Sequence, residues 1–379
     1  MSFKKTRFCW AALACPLVPL LLLVHHHAAA APPIAAAEDS LATVSRAACE
    51  PLGQSTHFAF HSDPWINLHH FLFQWAFAET ERRPDDYRPV LDMPEREQAR
   101  DLNEQERAAW SRAVALYSNQ LVARNLTFDP ELVKISHQLV KVSCSGGSAL
   151  SGIPADLRHT LEETMPIYQR HWWSVHHAAN VAWIRELEPE LASFEARLSD
   201  QLAHAYGGQW PAGRIRVDVT AYANHTKGYT TSDPDHITLT STDPNKKGFV
   251  GLEVLLHEAS HTTGLEDPFQ AQLDAAFARR GEKPPEGLCH VIQFFTPAKL
   301  LGTLLQERGV KTYESFAERA GLYQRVRSWD GFRAILERHW SPFLAGKVER
   351  AAALDQIARE LSQSDKTESD RPFTGASPP

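Results

Sequence analysis

Residues Leu252–Leu265 read L-E-V-L-L-H-E-A-S-H-T-T-G-L. Inside this stretch His257, Glu258 and His261 form an H-E-x-x-H pattern. On an α-helix, residues four apart lie one above the other on one face, so both imidazoles reach a single metal ion. The Glu beside the first His is placed to take a proton from water that the metal activates. Val254, Leu255 and Leu256 supply an apolar flank, and Gly264 reads as the residue that stops the helix. A metal-binding helix is therefore expected over 248–263.

Upstream, the segment Arg214–Tyr222 (R-I-R-V-D-V-T-A-Y) alternates apolar and polar residues as a half-buried strand does. A loop rich in Gly, Ser, Thr and Asp follows over 224–235. His236–Ser241 then reads as a second strand, and Asp243, Pro244 and Asn245 turn the chain into the motif helix. Downstream, helices are expected over 268–280 and 288–306, with a loop over 281–287. Further helical elements fill 313–361, and a polar, disordered tail runs from Ser362.

The first half of the chain reads as helices. Asp63 is an N-cap with Pro64 at the first helical position, opening a buried helix that carries Asn67, His69 and His70. These three are expected to be satisfied core residues; the alternative is that one lines a metal cleft. An amphipathic helix is expected over 102–123, another over 129–142, and two long ones over 157–206. His171, His176 and His177 lie in the second of these among aromatic residues at helical spacing, a pattern of core packing more than of a second metal site. The fold class that follows is α+β, predominantly α-helical, with a small β-sheet next to the H-E-x-x-H helix. The expected regions are 1–31, 32–205, 206–306 around the motif, 307–361 and 362–379.

The chain has 379 residues with a formal net charge of -7, which argues against a general nucleic-acid binder. Lys4, Lys5 and Arg7 precede an apolar run over 8–24 and the small residues 28–31, the pattern of a signal peptide. An exported protein, periplasmic or extracellular, is expected, with no stable membrane span after cleavage. No later run is expected to be long enough to span a bilayer. Export permits disulfides, and Cys49 with Cys144 is the expected pair, leaving Cys289.

A catalytic zinc takes three protein ligands and keeps one position open. The third ligand has two sources. Asp267 completes H-E-x-x-H-x-x-G-x-x-D, which resembles the metzincin pattern with Asp in place of the last His. The downstream Met-turn of that group is missing, because Met1, Met93 and Met165 all lie upstream. The other source is a later helix, as in gluzincins, where the third ligand is usually Glu. Here that helix carries His290, ranked first, ahead of Asp267 and then Glu286 and Glu266.

As a whole the region resembles the zincin superfamily on its gluzincin side. D-P-W-I-N-L-H-H-F, F-V-G-L-E-V-L-L-H-E-A-S-H and H-V-I-Q-F-F-T are also similar to a poorly characterised family of exported bacterial proteins. The resemblance implies a zincin-like core in which strand 236–241 forms the cleft edge that pairs with an extended substrate. It implies a secreted zinc-dependent hydrolase, a metallopeptidase acting on peptide or protein. His257, His261 and His290 would hold Zn2+, Glu258 would be the general base, and Tyr229 or His225 would face the oxyanion. The alternatives are a zinc hydrolase with a non-peptide substrate, a non-catalytic exported metal-binding protein, and a helical protein without metal.

Overall fold

The computed structural model describes residues 50–79, 93–145, 150, 152–224, 227–326 and 329–369. Residues 1–49, which include the expected signal peptide and Cys49, fall outside them with His225 and residues 370–379, as does the Cys144 side chain, so the expected disulfide lies beyond the described residues. The fold is 66 % helical with one mixed five-stranded sheet, which is the α+β class the sequence suggests. Two compact units divide the described residues, one within 50–195 and 211–262, the other within 196–210 and 263–369.

The first unit is built on the sheet, whose strands are β1 (Gly53–Gln54), β2 (Phe58–His61), β3 (Ile215–Thr220), β4 (Gly228–Thr231) and β5 (His236–Thr240). Their order is β1-β2-β3-β5-β4. β2, β3 and β5 run parallel, and β1 and β4 are antiparallel to their neighbours. Strand 236–240 therefore has a partner on each side and cannot be the cleft edge. The edge is β4, in the stretch that reads as a loop. G-Y-T-T is too short to show a period, and only its pairing with β5 makes it a strand.

Directly opposed residues in neighbouring strands share a face, so the register sorts the sheet into two surfaces. One is apolar: Phe58, Phe60, Ile215, Val217, Val219, Ile237 and Leu239, joined by Gly228 and Thr230 at the edge. The other holds Arg216, Asp218, His236, Thr238, Tyr229 and Thr231, all but half-buried Arg216 fully buried. On this polar face Arg216 grips Asp218 through two hydrogen bonds of 2.7 and 3.0 Å, and His236 Nε2 lies 2.8 Å from the same carboxylate. Burial alone would raise the Asp218 pKa, but Arg216 and His236 outweigh it and hold the group far below the usual carboxylate range.

Helix α1 (Pro64–Glu79) lies against the polar face and is buried along almost its whole length. Asp63 caps it as the sequence indicates, accepting from the Trp65 and Ile66 amides at 2.8 and 3.1 Å, a contact that contributes about 1 kcal/mol. Asn67 donates to the Val219 carbonyl and accepts from the Ala221 amide, docking the helix on β3. Helix α2 (Glu104–Gln120) begins with a reciprocal capping box between Asn103 and Glu106, and α3 spans Pro130–Ser145. Helices α4 (Ala155–Tyr168) and α5 (Ser174–Tyr206) are joined without a break by a π-helical turn, Gln169–Trp173. The motif helix α6 spans Gly248–Ala259 and packs against β4 and β5.

The other unit contains α7 (Thr263–Ala278), α8 (Leu288–Glu307), α9 (Trp329–Leu344) and α10 (Arg350–Ser369). Helix α8 is long and apolar enough to cross a membrane by length and composition, against the expectation of none, and 78 % of its apolar window is buried. Helix α10 continues past Ser362, the expected start of the tail, because Leu361 and Ser362 are themselves buried. Gly264 does not stop the motif helix. It sits in the first turn of α7, where a Cβ would come within 2.3 Å of the Gln209 carbonyl oxygen, and its own carbonyl accepts from the Gln209 amide at 2.9 Å. The glycine serves a close backbone contact and not a left-handed turn.

Replacing Asp218 with Ala should destabilise the protein by about 3 kcal/mol, since half-buried Arg216 and buried His236 both lose the carboxylate they share. Urea denaturation of the purified variant measures it, and a loss below about 1 kcal/mol would contradict the role assigned to this network.

Candidate metal centre

The motif helix ends earlier and more tightly than a uniform α-helix would. After Ala259 the chain turns with short-range bonds, Ser260 N to His257 O at 3.0 Å and His261 N to Glu258 O at 3.0 Å. His261 thus sits just beyond the regular helix. Its ring centroid is 4.9 Å from that of His257, with the planes 88° apart. Both imidazoles and the Glu258 side chain are buried.

Helix α6 rests on the apolar face of the sheet, so the residues of β4 that share this face meet it. The Thr230 hydroxyl lies 3.0 Å from Glu258 Oε2 and 2.8 Å from the Glu258 carbonyl oxygen, and donates between them. Gly228, two residues earlier, leaves room for the same carboxylate: a Cβ there would stand 3.1 Å from Glu258 Oε1. Thr230 was not singled out in the sequence. Its only signal is position, two residues from Gly228 in a strand that the sequence does not betray.

Tyr229 belongs to the opposite face. Its hydroxyl is 2.7 Å from His70 Nε2, it is buried among core residues, and burial pushes its pKa above the ordinary value, helped by Asp218 and Glu258. Strand alternation turns it away from Glu258, so the oxyanion role expected for Tyr229 is not what its placement offers. His225 lies outside the described residues.

The remaining expected residues are placed as follows. His257 and His261 are buried at the end of α6, and His290 is buried on α8 of the other unit; Asp267 and Glu286 are exposed and Glu266 is buried. His69 and His70 are core residues with partners: His69 Nδ1 is 2.8 Å from the Tyr117 hydroxyl, and His70 Nδ1 is 2.7 Å from the Ile66 carbonyl. His171 meets Glu106, His176 bridges Tyr168 and Glu95, and His177 meets Ser62, so each has a structural partner in place of a metal.

Imidazole nitrogens four residues apart at one helix end are donors that Zn2+ accepts. Mutually perpendicular rings on a buried helix end fit such an ion. A carboxylate adjacent to the first His, oriented by a hydroxyl, adds a group that can accept a proton. No family model, no curated protein and no solved structure matches the chain.

The His residues behind the strand make stability depend on pH. Burial, together with the neighbouring His70, lowers the His69 pKa to about 3; burial also lowers His70 to about 4 against the opposing Ile66 hydrogen bond. Between about 6.5 and these values the unfolded chain binds protons that the folded chain refuses, so stability falls as pH falls. The urea midpoint should drop between pH 7.5 and pH 5, and the drop should be smaller in a His69→Gln variant. Equal slopes for both proteins would show that His69 does not stay neutral when folded.

Proposed function

We propose that this protein is an exported zinc-dependent hydrolase, most closely a metallopeptidase. The observation that carries the reading is the end of α6: two buried imidazoles with perpendicular rings, and between them in sequence a carboxylate fixed by Thr230. His257 and His261 would bind zinc through imidazole nitrogens, with His290, the residue the sequence ranks first, as third ligand. Zinc, when bound, acidifies water and polarises a carbonyl. Glu258 accepts the proton of the attacking water and returns it to the leaving group. Thr230 holds the carboxylate in one orientation, which removes a rotamer search from the reacting state.

Support for a peptide substrate comes from β4. The strand ends the sheet beside Glu258, and a strand at that position is where an extended chain can align. The basic and then apolar leader supports export. A second reading is favoured by the burial of all three His and of Glu258: a metal-holding protein without turnover, its coordination closed.

Zinc content of the purified chain, beside His257→Ala, His290→Ala and Glu258→Gln variants, tests these readings. About one zinc per molecule is expected in wild type and in Glu258→Gln, and almost none in either His variant. Screening wild type against a mixed peptide library should give zinc-dependent cleavage that falls at least about 1000-fold in Glu258→Gln. Zinc without cleavage would select the metal-holding reading, and little zinc in wild type, even when supplied, would remove both.

A further inference from the structure

A cavity of about 300 Å3 opens within the first unit, its wall including Glu95, Tyr222, Lys227, Thr240, Thr242 and Asp243. β3 ends at Thr220 and β5 at Thr240, so much of this wall follows the carboxyl ends of two adjacent parallel strands. Loops at that end of parallel strands are where an open sheet commonly holds a ligand. The volume is at the low end for small-molecule sites and suits a single side chain or a small ion.

The wall is rich in acceptors. Asp243 has a cation of its own, Lys227 Nζ at 3.2 Å, and its other oxygen accepts from the Asn245 amide at 3.0 Å. Glu95 is also buried, yet no lysine or arginine among the described residues pairs with it. Its carboxylate accepts from the Tyr222 hydroxyl at 2.8 Å and lies 3.0 Å from His176 Nε2, while Arg96 pairs with Glu79 instead. Burial alone would raise the Glu95 pKa, but the His176 and Tyr222 contacts outweigh it and hold the group below its ordinary value. The Thr240 and Thr242 hydroxyls both donate to the Ala221 carbonyl, at 2.7 and 2.6 Å, so what each still offers is an acceptor.

The cavity adjoins the Glu258 carboxylate. Lys227 lines it, and at the next residue, Gly228, a Cβ would stand 3.1 Å from Glu258 Oε1. The Lys227 carbonyl is fixed by the Thr240 amide at 3.3 Å and by the buried Lys246 ammonium at 3.0 Å. An extended chain aligned on β4 would place a side chain at the end where that strand begins, which is the end the cavity occupies.

We propose that this cavity is the specificity pocket of the Glu258 centre, taking the cationic side chain of a lysine or arginine in the substrate. The inference rests on the hydrolase reading above. Glu95 supplies the negative charge that draws in the ammonium or guanidinium, and the threonine oxygens accept its remaining N–H groups.

The probes are N-acetylarginine amide and N-acetylcitrulline amide, alike in shape and different in charge, titrated calorimetrically into zinc-supplied wild type and Glu95→Gln. Wild type should bind the arginine compound about 30-fold more tightly, and Glu95→Gln should lose that difference. Library cleavage by wild type should favour sites bearing Lys or Arg by at least about 10-fold in kcat/KM, a preference the variant should lose. Equal affinities in wild type, or a difference that survives in folded Glu95→Gln, would overturn the proposal and leave the hydrolase reading intact. Cleavage by zinc-loaded wild type without a basic preference would do the same. Absence of zinc from wild type would overturn both, and is recognised by the metal assay alone. If Glu95→Gln does not fold, Lys227→Met decides. Losing the competing cation should raise arginine affinity at least about threefold, and an unchanged or lower affinity would overturn the assignment.

Discussion

A carboxylate buried beside two imidazoles is costly to fold around, and the sheet edge supplies the compensation. Thr230 reaches Glu258 only because β4 pairs with β5 in one register. Shifting that register by one residue would turn Tyr229 towards α6 and Thr230 towards α1, exchanging a small hydroxyl for a large ring. The same register sends Tyr229 to His70, so one short strand ties the motif helix on one face to the buried His pair on the other. The polar face of the sheet is held in turn by the Arg216–Asp218–His236 cluster.

Much of this was legible in the sequence, for identifiable reasons. Caps announce themselves by residue type, as Asp63 with Pro64 and Asn103 with Glu106 do. Helix α6 is marked by an apolar run ending in a spaced pair of His. The edge strand was not legible, because Gly, Thr and Tyr in a stretch of four carry no period of their own. Gly264 misled for a related reason: a glycine demanded by a backbone neighbour far away in sequence looks the same as one demanded by a left-handed turn. Lys246 resembles any surface lysine until burial is known. The expectation for 236–241 was correct as a strand and wrong as an edge, since nothing in its residues says how many neighbours it has.

Histidine is the residue whose meaning depends most on context here. The chain has 19, and the structure gives His69 and His70 of α1 and His176 and His177 of α5 hydroxyl, carbonyl or carboxylate partners within hydrogen-bond distance. A buried imidazole with two such partners is a polar core group with its tautomer fixed by them. The pair at the end of α6 differs by its spacing and by the carboxylate between its members. Counting His would have suggested several metal centres, whereas the partners of His69, His70, His176 and His177 mark those residues as core groups.

The parallel pairing of β2 with β3 joins Phe58 to Ile215 across a long excursion of helices. During synthesis, β2 and the buried helix α1 leave the ribosome long before the strand they need exists. The polar face that receives Asn67 and His70 is completed only when β3, β4 and β5 have followed. Until then a nearly all-apolar helix carrying buried-type His must be shielded by its helical neighbours α2 to α4, which need only local contacts to form. In chain order the helices precede the sheet, and the His257–His261 end of α6 is among the last parts of this unit to be synthesised.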